Sequence, residues 1–253
     1  MSIVGYPQPG KARSRALLEA FAQGCGGAVR ISPAAVLEPG GAAFYGVVGI
    51  EHLVRLAEAE GRDWYYGDNA FFDRARGKHF RFARRALQPH ALLPPDHARA
   101  SALGLEIAPW QRAGKHIVVV EQSEHFLNMT GNRGWLGVVT SALRRLTDRP
   151  LRLRTWRRDK GKAAATLAAD LRGAHALITC ASAAANEALL SGVPVFCSER
   201  CAATPMSSGN LSAIESPRYP DGREEWAAGL AGAQWTVDEL RAGVAWRALL
   251  HGG

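Results

Sequence analysis

The stretch with most chemical potential runs Leu177-Ile-Thr-Cys-Ala-Ser-Ala-Ala-Ala-Asn-Glu-Ala-Leu-Leu-Ser-Gly-Val-Pro-Val195. An apolar run ends in small residues, a helix is predicted from Ser182 to Leu190, and Gly192 stops it before another apolar run. Small side chains let a ligand approach the start of that helix, where Ser182, Ala183 and Asn186 lie. Free N–H groups and the helix dipole there favour an anion such as a diphosphate. Glu187, about one turn in, can accept the hydroxyls of a ribose.

Other polar residues fall at the predicted ends of strands. The alternating strand Leu151–Trp156 leads into Arg157-Arg-Asp-Lys160-Gly-Lys162. Arg154 and Arg157 offer guanidinium forks for bidentate phosphate contact and Lys160 a point charge, although a solvated basic loop reads the same way. The loop Gln122–Gly134 is polar and punctuated by glycine; Ser123 and His125 can reach a ligand there, and His125 equally suits an ordinary surface histidine. In the first half, Trp64-Tyr-Tyr-Gly-Asp-Asn-Ala-Phe-Phe72 reads as a strand ending in a Gly-Asp-Asn turn. Asp68 is then a carboxylate at the carboxyl edge of a sheet, able to take a proton from an attacking hydroxyl. An Asx-turn residue has the same signature.

Between Gly67 and Arg85 aromatic and basic residues interleave: Phe71, Phe72, Phe80 and Phe82 with Arg74, Arg76, Lys78, Arg81, Arg84 and Arg85. Cations that meet phosphates beside rings that stack on bases are the ingredients of a DNA surface, and an aromatic among Phe71, Phe72 and Phe80 can fill the gap left by a flipped base. Core packing is the competing reading for each ring.

The positioning elements follow from the apolar pattern. In the first half, strands are predicted at Ser2–Tyr6, Ala28–Ile31, Ala43–Val48 and Asp63–Tyr66, with helices at Ala12–Gln23 and Ile50–Glu60. Strands alternating with helices call for a parallel sheet. Prolines at 89, 94, 95 and 109 mark an irregular stretch, and the linker is expected at Pro109–Gly114. In the second half, strands Lys115–Glu121, Leu151–Trp156, Ala176–Cys180 and Val193–Cys197 alternate with helices Trp135–Leu146, Ala163–Leu171 and Ser182–Leu190, the doubly wound pattern. Thr236-Val-Asp-Glu239 is a capping box that opens a closing helix over Trp235–Leu250.

Composition narrows the class. The 253 residues are 47% hydrophobic, which excludes a disordered chain. No run of about 18 apolar residues predicts a membrane span, and the start lacks the apolar core of a signal peptide, so a cytoplasmic location is expected. The net charge of +8 suits nucleic acid, anionic lipid headgroups or phosphorylated substrates. Cys25, Cys180, Cys197 and Cys201 lack the spacing of a zinc site and read as reduced thiols. There is no Gly-x-Gly-x-x-Gly after the first strand and no Gly-x-x-x-x-Gly-Lys-[Ser/Thr].

The segment around Ser182, Ala183, Asn186, Glu187, Gly192 and Pro194 resembles the donor-binding half of GT-B glycosyltransferases and related glycerophosphotransferases. The likeness covers about 85–100 residues, and a plain βαβ unit of another Rossmann-like protein shares much of it. It implies an α/β, GT-B-like chain of two Rossmann-like parallel-sheet domains facing a cleft, with a closing C-terminal helix. Residues 1–110 would form the acceptor side, and 111–253 the nucleotide-sugar side with that helix. The donor would be a nucleotide-sugar, UDP-linked in the first instance, held by Ser123, Arg154, Arg157, Lys160, Ser182, Ala183, Asn186 and Glu187. Asp68 would be the general base. No Asp-x-Asp pair demands a divalent ion, and no cofactor is required. Joined to the basic aromatic segment, the resemblance extends to phage enzymes that glucosylate hydroxymethylated pyrimidines in DNA. A cell-envelope transferase on an anionic membrane, and a non-catalytic nucleic-acid binder on the same scaffold, are the other readings.

Overall fold

A computed structural model describes residues 3–29, 36–72, 77–89, 93–155, 166–198 and 200–251. The chain divides into two compact units, Met1–Leu103 with Ala228–Gly253, and Gly104–Ala227.

The first unit holds β1 (Ile3–Pro7), α1 (Ala12–Cys25), β2 (Ala28–Val29), β3 (Gly41–Tyr45), α2 (Glu51–Ala59), β4 (Trp64–Asn69), β5 (His79–Arg84) and α3 (His97–Ala102). The second holds β6 (His116–Val120), α4 (Glu124–Met129), α5 (Trp135–Leu146), β7 (Leu151–Arg154), α6 (Leu167–Leu171), β8 (Ala174–Thr179), α7 (Ala184–Leu190) and β9 (Val195–Phe196). Helix α8 (Arg223–Gly232) contains the boundary, and β10 (Gln234–Thr236), α9 (Val237–Arg241) and α10 (Val244–His251) return to the first unit.

The first sheet has the order β10-β5-β4-β3-β1-β2. Its core of β2, β1, β3 and β4 is parallel, while β5 runs antiparallel to β4 and β10 antiparallel to β5. The second sheet is wholly parallel, in the order β7-β6-β8-β9. Its strands are apolar because both faces are covered: Ile117, Val119, Ala176, Ile178 and Phe196 pack with Val139 and Leu143 of α5 and with Ile214. Both sheets therefore carry the expected parallel α/β pattern.

The expected division between residues 110 and 111 moves in two respects. Pro109–Gly114 is no free linker, because Ala108 N–H donates to Leu190 O at 2.8 Å and Gln111 N–H to Gly192 O at 2.8 Å. The C-terminal tail closes the first unit instead of the second. β10 pairs with β5 through Gln234, Trp235 and Thr236, and Trp246 of α10 lies edge-on to Phe21 at 6.2 Å and tilted against Tyr65 at 5.1 Å. The capping box at Thr236 forms. The single closing helix does not: Gly243, at φ 72°, separates α9 from α10.

Arg99 secures this tail. Its Nη1 donates to Gln234 O at 2.6 Å and to Glu239 Oε2 at 3.1 Å. Burial by itself raises the Glu239 carboxyl; the Arg99 guanidinium and the Thr236 N–H override it and hold the group below its ordinary range. A depressed carboxylate stabilises the folded state above its unfolded pKa, and that contribution is lost as pH falls through the folded value. The melting temperature should therefore drop as pH is lowered through and below the glutamate range of about 4.3. In Glu239→Gln that part of the acid loss should vanish from a melting series; an unchanged acid profile would remove the pair from the account.

Candidate functional site

In the second unit the chain leaves β6 towards β7 on one side and returns to β8 on the other. The carboxyl ends of β6 and β8 are thus the topological switch point, where open α/β sheets bind ligands. Thr179 ties the two ends together, its hydroxyl donating to Val120 O at 2.9 Å. Thr179 Oγ1 also accepts from Ser182 N–H at 3.3 Å, and Ser182 Oγ accepts from Ala184 N–H at 3.2 Å. Two N–H groups that the sequence offers to a diphosphate are thus taken by the chain's own hydroxyls. The turn is tighter than the small residues suggest, with Ala181 2% and Ala183 8% exposed.

Asn186 is the exception. It is 1% exposed, and neither its amide nitrogen nor its amide oxygen has a hydrogen-bond partner. An unsatisfied buried amide costs on the order of 1–3 kcal/mol, so this side chain on the first turn of α7 has polar capacity that the protein's own groups leave unused. Glu187 is exposed on the same helix. Gly192 has two structural reasons to be glycine: its φ is +73°, and a Cβ there would lie 2.0 Å from Pro109 O.

Beside the switch point, a cavity of about 630 Å³ opens where β6 and β7 end, lined by Glu121, Gln122, Asn128, Arg133, Leu136 and Thr155 among others. That volume suits a ligand of nucleotide size. Arg133 Nε donates to Asn128 Oδ1 at 2.6 Å. Ser123 sits at its edge as the N-cap of α4, accepting from Phe126 N–H at 3.3 Å, and His125 is exposed one residue into that helix's first turn. Arg154 is ion-paired with Asp170 of α6, and both side chains are largely buried, so its guanidinium already has an anion. Arg157 and Lys160 lie outside the described residues. Among the described residues, no group of three or more His, Cys, Asp or Glu side chains is arranged to hold a metal ion.

The first unit has its own polar cluster at the carboxyl end of β4. Asp68 stands within that strand, directly across from Arg81 of β5, so the expected Gly-Asp-Asn turn is in fact ladder. Arg81 Nη2 meets Asp68 Oδ2 at 3.1 Å, the Tyr66 hydroxyl donates to the same oxygen at 3.4 Å, and Asn69 N–H donates to Oδ1 at 2.7 Å. Arg81 is nearly buried, whereas the Asp68 side chain keeps about a third of its surface open. Burial, with Asp68 next, pushes the Tyr66 hydroxyl well above its ordinary pKa and does the same for Tyr45, so both are protonated donors at neutral pH. Asp68 is therefore an oriented, accessible carboxylate, the geometry a proton acceptor needs.

Burial takes the three rings out of the expected DNA-contact set. Phe71 is 1%, Phe72 4% and Phe80 4% exposed, so none can stack on a base or fill a gap in a duplex. Gln234 Oε1 accepts the N–H groups of Phe71 and Phe72 at 3.0 and 3.1 Å, fixing both in the core. Arg81 is spent on Asp68, and Arg84 and Arg85 on Asp63. Lys78 is exposed, and Arg74 and Arg76 lie outside the described residues. Tyr66, which donates to Asp68, and Tyr45, whose hydroxyl feels the Asp68 charge, were not among the expected site residues. The available signal was position: Tyr45 precedes the glycine that ends a buried strand, as Asp68 nears the end of the next.

No family model matches the sequence, and no curated protein does. Solved structures match in fold. One is KpsC, beta Kdo 2,7 transferase, of Thermosulfurimonas dismutans, with TM-score 0.52 and 12% identity, covering 91% of this chain and 90% of that one. Another, KpsC, beta Kdo 2,4 transferase, of the same organism, aligns with TM-score 0.49 and 11% identity over 90% of this chain and 89% of that one. With its two α/β units and their parallel sheets, the chain has a GT-B-like fold, shared along nearly its whole length with a glycosyltransferase.

Proposed function

We propose that this protein is a glycosyltransferase that moves a sugar from a nucleotide-sugar to a hydroxyl of a cell-envelope glycan or lipid. The reading is carried by the fold shared with the beta Kdo 2,7 transferase over nine-tenths of both chains. The second unit would hold the donor. The cavity at the ends of β6 and β7 supports that, and so does the unpaired Asn186 amide on α7. Asp68 would take the acceptor hydroxyl's proton as its oxygen attacks the anomeric carbon.

An envelope acceptor is preferred to DNA for a specific reason. The aromatic rings that recommended a base-flipping surface are core residues, and the arginines described beside them are bound to internal carboxylates. What remains is a basic protein in which no described helix is long and apolar enough to cross a membrane.

Melting curves with a panel of UDP, CMP, GDP and their sugar conjugates test the donor assignment. One nucleotide at a hundredfold excess over its Kd should add about 2.7 kcal/mol of stability, readily visible as a rise in Tm. Asn186→Ala should weaken that rise without abolishing folding. If no nucleotide or nucleotide-sugar stabilises the protein, the transferase reading is lost. Transfer to envelope glycans, compared with hydroxymethylated DNA, then decides the acceptor.

A further inference from the structure

Helix α1 starts in an unusual way. Lys11 stands at its N-cap with no side-chain capping bond, the first turn contains no acid, and Arg13 falls within it. Good caps are Ser, Thr, Asp or Asn, because their oxygens accept from the free N–H groups. The dipole places partial positive charge at the same end, so two added cations are unfavourable there unless an anion joins them. Arg15 is neutralised by Glu19 at 2.8 Å. Lys11 and Arg13 have no carboxylate partner among the described residues.

A second observation points to the same place. Tyr45 is 7% exposed, and its hydroxyl has no hydrogen-bond partner. Arg13 lies over the Phe80 ring at 5.0 Å, and Tyr45 meets that ring edge-on at 6.1 Å. Arg13 is close enough to the Tyr45 hydroxyl to oppose its rise in pKa both by its charge and as a side-chain donor, although no hydrogen bond of full geometry joins the two. Ser14 fixes the helix start to this strand end: its hydroxyl donates to Tyr45 O at 2.9 Å and accepts from Gln8 N–H at 3.0 Å. Tyr45 pairs with Gly67, the residue before Asp68. The Asp68 charge is itself met by Arg81, so it does not stand unpaired against an incoming anion.

We propose that the start of α1, with Lys11, Arg13 and the Tyr45 hydroxyl, is a subsite for a carboxylate or phosphate group. Its assignment to the acceptor, beside Asp68, rests on the transferase reading above. The acceptor is then an anionic glycan or a phosphorylated lipid-linked sugar. Free N–H groups and the Arg13 guanidinium bind its charge, and the Tyr45 hydroxyl donates to one of its oxygens.

The test is the melting temperature of the full chain against inorganic phosphate, with ionic strength held constant by chloride. Phosphate should raise Tm in the wild type. In Arg13→Ala and Lys11→Ser the apparent Kd should weaken by about tenfold or more, and Tyr45→Phe should weaken it while removing no packing atom but the hydroxyl. Lys11→Ser should also raise Tm without phosphate, because serine caps the helix. Arg55→Ala, an exposed site on α2, should change neither quantity. Displacement of phosphate by glucuronate but not by glucose assigns a carboxylated acceptor; phosphate binding that glucuronate leaves intact assigns a phosphorylated one. If Arg13→Ala and Lys11→Ser keep the full phosphate response, the effect is an adventitious ion only and the subsite is refuted, as it is if the wild type shows no response. Stabilisation by a nucleotide reports on the second unit separately, so loss of the phosphate response alone leaves the donor reading standing.

Discussion

Replacing Asp68 by Asn should lower kcat by roughly a hundred- to ten-thousandfold, the range attributed to a general base, while nucleotide-induced stabilisation stays intact. Asn keeps the shape and an acceptor oxygen for Arg81, but it cannot take a proton. The variant also removes the counter-charge of Arg81, whose side chain is 8% exposed. An abandoned buried cation is costly; here the pair's one-third-open carboxylate admits water and screens the loss. A fall in Tm of a few degrees is therefore expected beside the fall in kcat. The two causes separate cleanly. A structural defect would lower Tm and blunt nucleotide stabilisation together, whereas loss of the base leaves donor KM and nucleotide response near wild type. Transfer within about tenfold of wild type would strip Asp68 of the role.

Asp68 was legible in the sequence and its surroundings were not, for a reason that lies in sheet geometry. A carboxylate after an apolar run and a glycine is visible locally, although the structure keeps Asp68 inside the strand. Arg81, 13 residues on, joins it only through antiparallel pairing of β4 with β5, and Arg84 finds Asp63 21 residues back through the same ladder. Without that register, arginines among phenylalanines look like a surface for an anionic polymer. With it, they are a buried strand whose cations neutralise acids of the neighbouring strand. Likewise, Arg13 and Tyr45 meet because β1 lies beside β3, which no spacing in the chain reveals.

The second sheet shows the opposite case. Parallel strands covered on both faces must be apolar runs, so β6 and β8 could be read directly, as could the amphipathic helix Trp135–Leu146 that covers them. The tail could not be assigned to the correct unit. β10 is three residues long, Gln234-Trp-Thr236, too short to show an alternation, and its partner β5 is about 150 residues away in the chain. The capping box that follows fixes where a helix begins and says nothing of what it packs against.

Gly192→Ala should strongly destabilise the second unit. Two costs coincide at this position. The φ of +73° asks an L residue to adopt the left-handed region, at about 1–2 kcal/mol. The new Cβ would also fall 2.0 Å from Pro109 O and 2.9 Å from Pro109 C, and backbone cannot rotate away as a flexible side chain does. Either the turn after α7 or the segment Ala108–Gln111 must shift, breaking the bonds from Ala108 N–H to Leu190 O and from Gln111 N–H to Gly192 O. Overpacking of this kind adds about 1–3 kcal/mol. Together the costs correspond to a drop in Tm on the order of 10 °C for a unit of this size. A stability loss under about 1 kcal/mol in a urea titration would show that the contact relaxes freely. Because α7 carries Asn186 and leads directly into this turn, the surviving folded fraction should also respond less to nucleotide. The Gly-x-Pro signature thus has a packing reason: Gly192 lets the chain at Pro109 close over the turn behind α7.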